Sequence, residues 1–112
     1  MAVYDKAYEL ARELKESPEY KEYQKAKQAL IEKEATLEIL KSYRRQQFMV
    51  QSALMAGKEP DEETKSEFAK TQEIVNMHGP VQRFIAAEER IFVILADIQK
   101  ILNESLNLLE YV

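Results

Sequence analysis

One carboxylate in this sequence, Glu88, has the position that acid–base or metal chemistry would need. It falls on a stripe of otherwise apolar residues at helical spacing, where burial is expected. A buried carboxylate needs a partner, which can be a proton, a metal ion or a nearby cation. We favour a structural role, either an ion pair, for which the candidate cations are Arg44, Arg45 and Arg90, or a position at the edge of the stripe where the carboxylate reaches water.

The other components of a metal or catalytic site are missing from the sequence. A di-iron helical bundle uses paired Glu-x-x-His motifs, whereas this chain has one histidine and carries Ser105 at the equivalent deep position. It has no cysteine, which excludes disulfides, thiolate metal sites and Cys-ligated iron–sulfur clusters. No serine lies in a nucleophile motif, and two glycines cannot form a phosphate-binding loop. We therefore expect a protein that is not an enzyme and binds no metal or cofactor.

The single histidine, His78, precedes a Gly-Pro pair at the expected end of a helix. A cation at a helix C-terminus interacts favourably with the helix dipole. Gly79 suits a left-handed position after that helix, and Pro80 cannot continue it. His78 could instead be a lone ligand or a pH sensor, but no second histidine accompanies it, so we favour a capping role.

Lys41, Arg44 and Arg45 form the densest basic cluster, with Tyr43 among them. Arginine beside an aromatic ring can clamp phosphates or stack on RNA bases. On a long helix, such a cluster is more often a solvated face or a set of ion pairs with glutamates. RNA contact through this cluster is therefore the weaker interpretation.

The composition predicts one nearly all-helical domain over residues 1–112. A hydrophobic content of 46% is enough for one core, and only two glycines and three prolines punctuate the chain. The net charge of -4 argues against general nucleic-acid binding but allows one local basic patch. The longest uncharged run has twelve residues, whereas a bilayer span needs about 20. Since the N-terminal residues also lack a signal-peptide pattern, we expect a cytoplasmic protein that does not enter membranes.

Apolar spacing and turn residues predict an all-α bundle of four helices. Ser17-Pro18-Glu19 has the cap, the first-position proline and the acidic residue typical of a helix start. The later breaks are Gly57 to Asp61, where Asp61 is a candidate cap, and His78 to Pro80. The predicted helices span about residues 2–16, 18–56, 61–78 and 80–109.

The second of these helices would be long and central. At about 1.5 Å per residue it would measure about 58 Å, whereas a compact chain of this length has a radius of gyration of about 13 Å. It must therefore bend or extend beyond its own domain. The third helix is expected to fold back over its tip as a helical hairpin.

The fourth helix carries more apolar surface than one neighbour can cover. Seven of nine positions on its main stripe, from 81 to 109, are apolar, and a second stripe widens the face. Leaving several of these side chains in water would cost several kcal/mol, comparable to the stability of a small domain. We therefore predict a homodimer, although a tetramer fits the same spacing. The predicted self-association residues are Phe48, Val50, Leu54, Phe84, Ile91, Phe92, Leu95, Ile98 and Leu102.

Five segments distributed along nearly the whole chain share a recognisable pattern. They are VYDKAYELA at 3–11, SPEY at 17–20, YRRQQF at 43–48, MAGKEP at 55–60 and AAEERI at 86–91. Together they resemble the YlbF/YmcA family of small helical bacterial regulatory proteins, in particular its YheA-like branch.

The resemblance implies an all-α fold with a long central helix, self-association and a regulatory role. YlbF and YmcA act with a third protein in a complex linked to competence, sporulation, biofilm formation and ribonuclease-dependent RNA processing. Iron–sulfur clusters in that complex depend on cysteine, which this chain lacks, so no cluster-bearing role is expected. The family supplies no catalytic residues.

Two functional hypotheses follow. The first is a non-enzymatic, homo-oligomeric adaptor or regulator that binds a protein partner through its helix faces. The alternative is an RNA-associating factor in ribonuclease-dependent RNA processing, with the basic cluster at residues 41–45 as its contact. The two differ in whether those basic side chains are free or already engaged with other groups of the protein.

Overall fold

The computed structural model describes residues 1–107, and all regular structure in that range is α-helical. The helices are α1 (Ala2–Glu16), α2 (Pro18–Ile31), α3 (Glu34–Met55), α4 (Glu62–Asn76) and α5 (Gly79–Leu106). The predicted all-α class is confirmed, but the described part of the chain has five helices instead of four. The predicted end of the last helix, near residue 109, lies outside the described residues.

The extra helix arises because the predicted second helix, 18–56, is divided into α2 and α3. The division falls at Glu32 and Lys33, where the chain makes a turn. Lys33 has an extended backbone (φ -121°, ψ 126°) and precedes α3 without making a side-chain cap. The prediction of one unbroken central helix was therefore wrong.

Burial on the two sides of the turn gives the physical reason for the break. Ala26 and Leu30 are buried in α2, and Thr36 and Leu40 are buried in α3. Each pair is four residues apart and therefore shares a helix face. In an unbroken helix Thr36 would point about 240° around the axis from Leu30. Because the chain turns between α2 and α3, Thr36 and Leu40 can be directed toward the same core as Ala26 and Leu30.

The chain forms two compact units, whose boundaries fall inside α2 and α5. Unit 1 contains Met1–Gln24 and the described chain from Ala86 onward, and unit 2 contains Lys25–Ile85. In unit 1 the one buried side chain among the described residues is that of Ala87, and α1 has no buried residue. Unit 2 holds the larger core, formed by Ala26, Leu30, Thr36, Leu40, Val75, Val81 and Phe84.

Ser17 joins the ends of α1 and α2, as its sequence context predicts. Its hydroxyl donates to the Leu14 carbonyl (2.6 Å) and accepts a hydrogen bond from the Tyr20 backbone N–H (3.2 Å). Pro18 then opens α2, where its missing N–H leaves no helical bond unmade. One hydroxyl thus satisfies backbone groups on both sides of the junction.

The connection between α3 and α4 is fixed by local backbone geometry. Gly57 has φ +74°, and its N–H donates to the Leu54 carbonyl. The Lys58 N–H donates to the Ala53 carbonyl at 2.9 Å. These two bonds form a Schellman motif, which satisfies carbonyls at the end of α3. Glycine is favoured here because a left-handed backbone brings Cβ of other residues into a clash.

Gly79 does not have the left-handed conformation predicted for it. Among the described residues Gly57 is the one glycine with positive φ, and Gly79 is the first residue of α5. The His78 N–H closes α4 by donating to the Val75 carbonyl, and the His78 carbonyl accepts from the Gln82 N–H. The chain therefore passes from α4 to α5 through two residues, Met77 and His78, and needs no glycine turn.

The two glycines are expected to respond oppositely to alanine. Gly57→Ala should destabilise the protein by about 1–2 kcal/mol because Cβ is strained at positive φ. Gly79→Ala should be neutral or stabilising by up to about 1 kcal/mol, because alanine is the better helix former. A Cβ there would lie 3.1 Å from Arg83 Nη1, the end of a flexible side chain. Urea unfolding followed by circular dichroism measures the stability of both variants. Equal effects would contradict the positive φ of Gly57 and the helical backbone of Gly79.

Asp61 caps α4, as predicted, and we expect it to make the free energy of unfolding depend on pH under acidic conditions. Its Oδ1 accepts a hydrogen bond from the Thr64 N–H at 2.7 Å, which lowers the pKa of Asp61 below the ordinary 3.8. A lowered folded-state pKa contributes stability above the unfolded value, and this contribution is lost as pH falls through the folded value. Asp61→Asn keeps an acceptor oxygen but does not titrate. Between about pH 5 and about pH 3, the midpoint of urea unfolding should therefore fall less for Asp61→Asn than for the native protein.

The matched control for this measurement is Asp97→Asn, which removes an exposed carboxylate in the middle of α5. It removes one carboxylate that caps no helix, so the comparison separates loss of the cap from loss of a negative charge. The assignment of Asp61 is contradicted if Asp61→Asn and Asp97→Asn show the same acid dependence as the native chain.

Candidate interaction surfaces

Glu88 lies half-buried on α5 and has an interaction partner within the structure. Arg90, one of its predicted partners, is two residues away on the same helix, and residues at that spacing do not face each other. Within residues 1–107 no group of three or more acidic or histidine side chains could hold a metal ion. The proposed pairing of Glu88 with Arg44 or Arg45 stays a prediction.

The basic cluster on α3 is partly engaged with other side chains. The Arg44 guanidinium lies over the Phe84 ring, 5.8 Å from its centroid, where a cation interacts favourably with the ring face. Lys41 Nζ lies 3.7 Å from Glu38 Oε1, although both side chains are about half exposed. Arg45 is exposed. The cation–π contact of Arg44 could not be predicted from the sequence, because it joins α3 to a residue forty positions later.

His78 acts through its backbone at the junction of α4 and α5. The side chain is half-buried, and its Nδ1 is buried without a hydrogen-bond partner in the described structure. The predicted capping role is thus supplied by the N–H and the carbonyl of His78, which bond to α4 and α5 in turn.

The predicted self-association residues divide by exposure. Phe84 is 5% exposed and belongs to the core of unit 2. Val50, Ile91 and Ile98 are half-buried. The exposed members are Phe48, Leu54, Phe92, Leu95 and Leu102.

Unit 1 leaves many large apolar side chains on α1 and α5 in contact with solvent. On α1, the exposed side chains include Val3, Tyr4, Tyr8 and Leu10. The second half of α5 adds Phe92, Val93, Leu95, Ile101, Leu102 and Leu106. The predicted self-association residues include none from α1, although Val3, Ala7, Leu10 and Leu14 follow one another at helical spacing in the sequence. We call these exposed α1 and α5 side chains the unit 1 face.

Comparison with known proteins assigns the family. A family model described as control of competence regulator ComK, YlbF/YmcA, matches residues 3–107. The chain belongs to the YlbF/YmcA family. The resemblance predicted from the short sequence segments is thereby confirmed.

Curated relatives of this YlbF/YmcA-family chain are called UPF0342 proteins. The relative from Halothermothrix orenii is 38% identical over 102 residues, covering 91% of this chain and 86% of the relative. The relative from Clostridium tetani is 36% identical and covers 96% and 92%. The relative from Symbiobacterium thermophilum is 30% identical and covers 94% of each. These matches place the chain in a regulatory family, and the relatives' names state no activity.

Unit 1 of this YlbF/YmcA-family chain also contains an open groove of about 540 Å³ beside α5. Apolar Ala86, Val93 and Ile94 share its lining with charged Glu19, Glu89 and Arg90. Glu88 is not among these residues, so the groove does not contain the carboxylate singled out for chemistry. No helix within residues 1–107 combines the length and apolar character needed to cross a bilayer.

Proposed function

We propose that this protein is a non-enzymatic regulatory adaptor of the cytoplasm that works as a homo-oligomer, most simply a dimer. The single observation that carries the proposal is the uncovered unit 1 face. Membership in the YlbF/YmcA family, with its regulatory description, supports the same conclusion. Self-association would bury this face and build one platform for protein partners.

The physical argument begins with α1. It has 15 residues and none of them is buried. Helices of about 12–15 residues are marginal in water without tertiary packing of their apolar face. A second copy would supply that packing, because Phe92, Leu95 and Leu102 on α5 are uncovered as well.

Symmetry makes a second copy an economical partner. A two-fold dimer uses the same surface on both subunits, so one uncovered face per chain is sufficient. Complete burial of a large aliphatic or aromatic side chain stabilises by about 1.5–3 kcal/mol. Covering a few such side chains on each copy therefore contributes as much as the net stability of a small domain, about 5–15 kcal/mol.

Sedimentation equilibrium at micromolar concentration tests the proposal. The expected result is a mass of twice the chain's 13.1 kDa, or four times that mass for a tetramer. A chain that remains monomeric in this range would contradict the homo-oligomeric adaptor.

RNA association through Lys41, Arg44 and Arg45 is the weaker proposal. The exposure of Arg45 favours it. The contact of Lys41 with Glu38 and that of Arg44 with Phe84 oppose it, since both side chains already interact within the protein. Filter binding of RNA at low and moderate salt tests this alternative, because phosphate contacts weaken steeply as salt rises.

A further inference from the structure

The side of α3 that faces solvent carries a continuous stripe of mixed basic and apolar residues. Positions 41, 45, 48, 52 and 55 follow the spacing 4, 3, 4, 3, which places them on one helix face. All five are exposed, and exposed Met49 lies beside them. We call this the α3 outer surface, and its residues are Lys41, Arg45, Phe48, Met49, Ser52 and Met55.

The α3 outer surface carries two cations, Lys41 and Arg45, and no carboxylate among its own residues, and the nearby Glu38 lies 3.7 Å from Lys41. Residues 39–58 contain four cations, Lys41, Arg44, Arg45 and Lys58, and no aspartate or glutamate. The whole chain has a net charge of -4. The basic side chains of the stripe lie in its N-terminal half, and its large apolar side chains lie in its C-terminal half.

The apolar half is unusually open to water. Phe48 is 71% exposed, Met55 is 89% exposed and Met49 is 49% exposed. Single exposed apolar side chains are common on proteins, but a contiguous group marks an interaction site. Methionine adapts its shape to irregular partners and is over-represented on surfaces that bind several different partners.

The rest of α3 holds this surface in place. On another side of α3, Tyr43 stacks on Phe68 of α4 with ring centroids 5.9 Å apart, and Gln46 donates to Glu67. The Schellman motif at Gly57 fixes the C-terminal end. The stripe is therefore presented by an ordered helix that is already packed on α4.

We propose that the α3 outer surface docks an acidic amphipathic helix of a different protein, an inference that rests on the adaptor function proposed above. Such a helix would place its apolar stripe on Phe48 and Met55 and its carboxylates beside the exposed Arg45. The stripe from Lys41 to Met55 is about 21 Å long, which matches about four helical turns. Charge complementarity fixes the chemistry of the partner and the direction in which it docks.

Two other occupants fit this surface less well. A second copy would bring the same two cations, Lys41 and Arg45, and no carboxylate from the α3 outer surface, so it would not compensate their positive charge. RNA would satisfy the cations but would leave methionine side chains without a partner, since bases stack on aromatic rings and guanidinium groups. This assignment moves Phe48 from self-association to partner binding.

Fluorescence anisotropy with two labelled synthetic peptides tests the proposal. Both are about 18 residues long, or about five helical turns, and share one leucine stripe. One carries glutamates beside the stripe, and the other carries lysines. The glutamate peptide should bind the native protein at least about tenfold more tightly than the lysine peptide. Arg45→Glu and Phe48→Ser should each weaken its binding at least about tenfold.

Matched controls come from the same unit. Lys70→Glu reverses an exposed charge on α4, and Met77→Ser removes a methionine that is 82% exposed after α4. Both should bind the glutamate peptide as the native protein does. Equal binding of the two peptides, or loss in the controls as large as in Arg45→Glu, would overturn the proposal.

Two further readouts separate this inference from its alternatives. Labelled single-stranded RNA that binds better than the glutamate peptide, and is lost in Arg45→Glu but not in Phe48→Ser, would assign the surface to nucleic acid and overturn the proposal. Sedimentation of Phe48→Ser should match that of the native protein. If Phe48→Ser dissociates the oligomer, the surface is a contact between copies and the inference fails while the homo-oligomer stands.

Discussion

Leu95→Asp is expected to weaken self-association at least about 100-fold, which corresponds to about 2.7 kcal/mol. Leu95 lies in the middle of the α5 part of the unit 1 face and is 46% exposed in the single chain. A carboxylate there would be buried against a second copy without a cation to pair with, and an unpaired buried charge costs several kcal/mol. Because Leu95 is already partly exposed, the separated chain should keep its helical content. Sedimentation equilibrium and circular dichroism measure the two effects.

The matched control is Lys100→Asp, which places the same carboxylate on the polar side of α5. Lys100 is exposed and lies near Glu104, 3.9 Å away. This variant should sediment as the native protein does, because Lys100 lies about 140° around the helix axis from Leu95. Ile91→Asp is the second test on the predicted interface, at a half-buried position. If Leu95→Asp and Ile91→Asp both remain folded oligomers, the copies associate through a different surface.

Leu30→Ala is expected to lower the free energy of unfolding by about 2–5 kcal/mol. Leu30 is 2% exposed and lies in the core of unit 2 at the end of α2. Truncation to alanine removes buried methyl groups and leaves a cavity that the close-packed neighbours fill only in part. The loss is a large share of the roughly 5–15 kcal/mol that stabilises a protein of this kind. Urea unfolding followed by circular dichroism measures it.

The adjacent residue supplies the control for this second prediction. Ile31 is the last residue of α2 and is 47% exposed. Ile31→Ala should cost less than about 1.5 kcal/mol, because much of its side chain is in water before and after folding. Comparable losses in the two variants would contradict the placement of Leu30 in the core and of Ile31 at the surface.

Several local features of this chain were predictable because they depend on neighbouring residues. Ser17 caps α2 and Asp61 caps α4 through side-chain acceptors three residues before the N–H they bind. The low glycine and proline content indicated a helical chain, and the short segments from VYDKAYELA to AAEERI identified the family. These signals are read within a few residues, so the sequence alone was enough.

Features that depend on distant residues were not predictable in the same way. The segment from Ile31 to Ala35 contains no glycine or proline, and yet the helix breaks there. The helix breaks because an unbroken helix would point Leu30 and Thr36 in different directions, whereas both are buried in the core of unit 2. That core includes residues from α4 and α5. Phe84 was predicted as an interface residue, whereas the packing of unit 2 encloses it.

The sequence by itself determined the all-helical class, the family, the cap residues and the excess of apolar surface. Tertiary structure decided where the central helix divides, which apolar residues enter the core and which stay exposed, and that Arg44 lies over Phe84. The physical reason is the distance along the chain over which each interaction acts. Helix propensity and capping act over a few residues, whereas burial depends on which helix faces meet after the chain has folded.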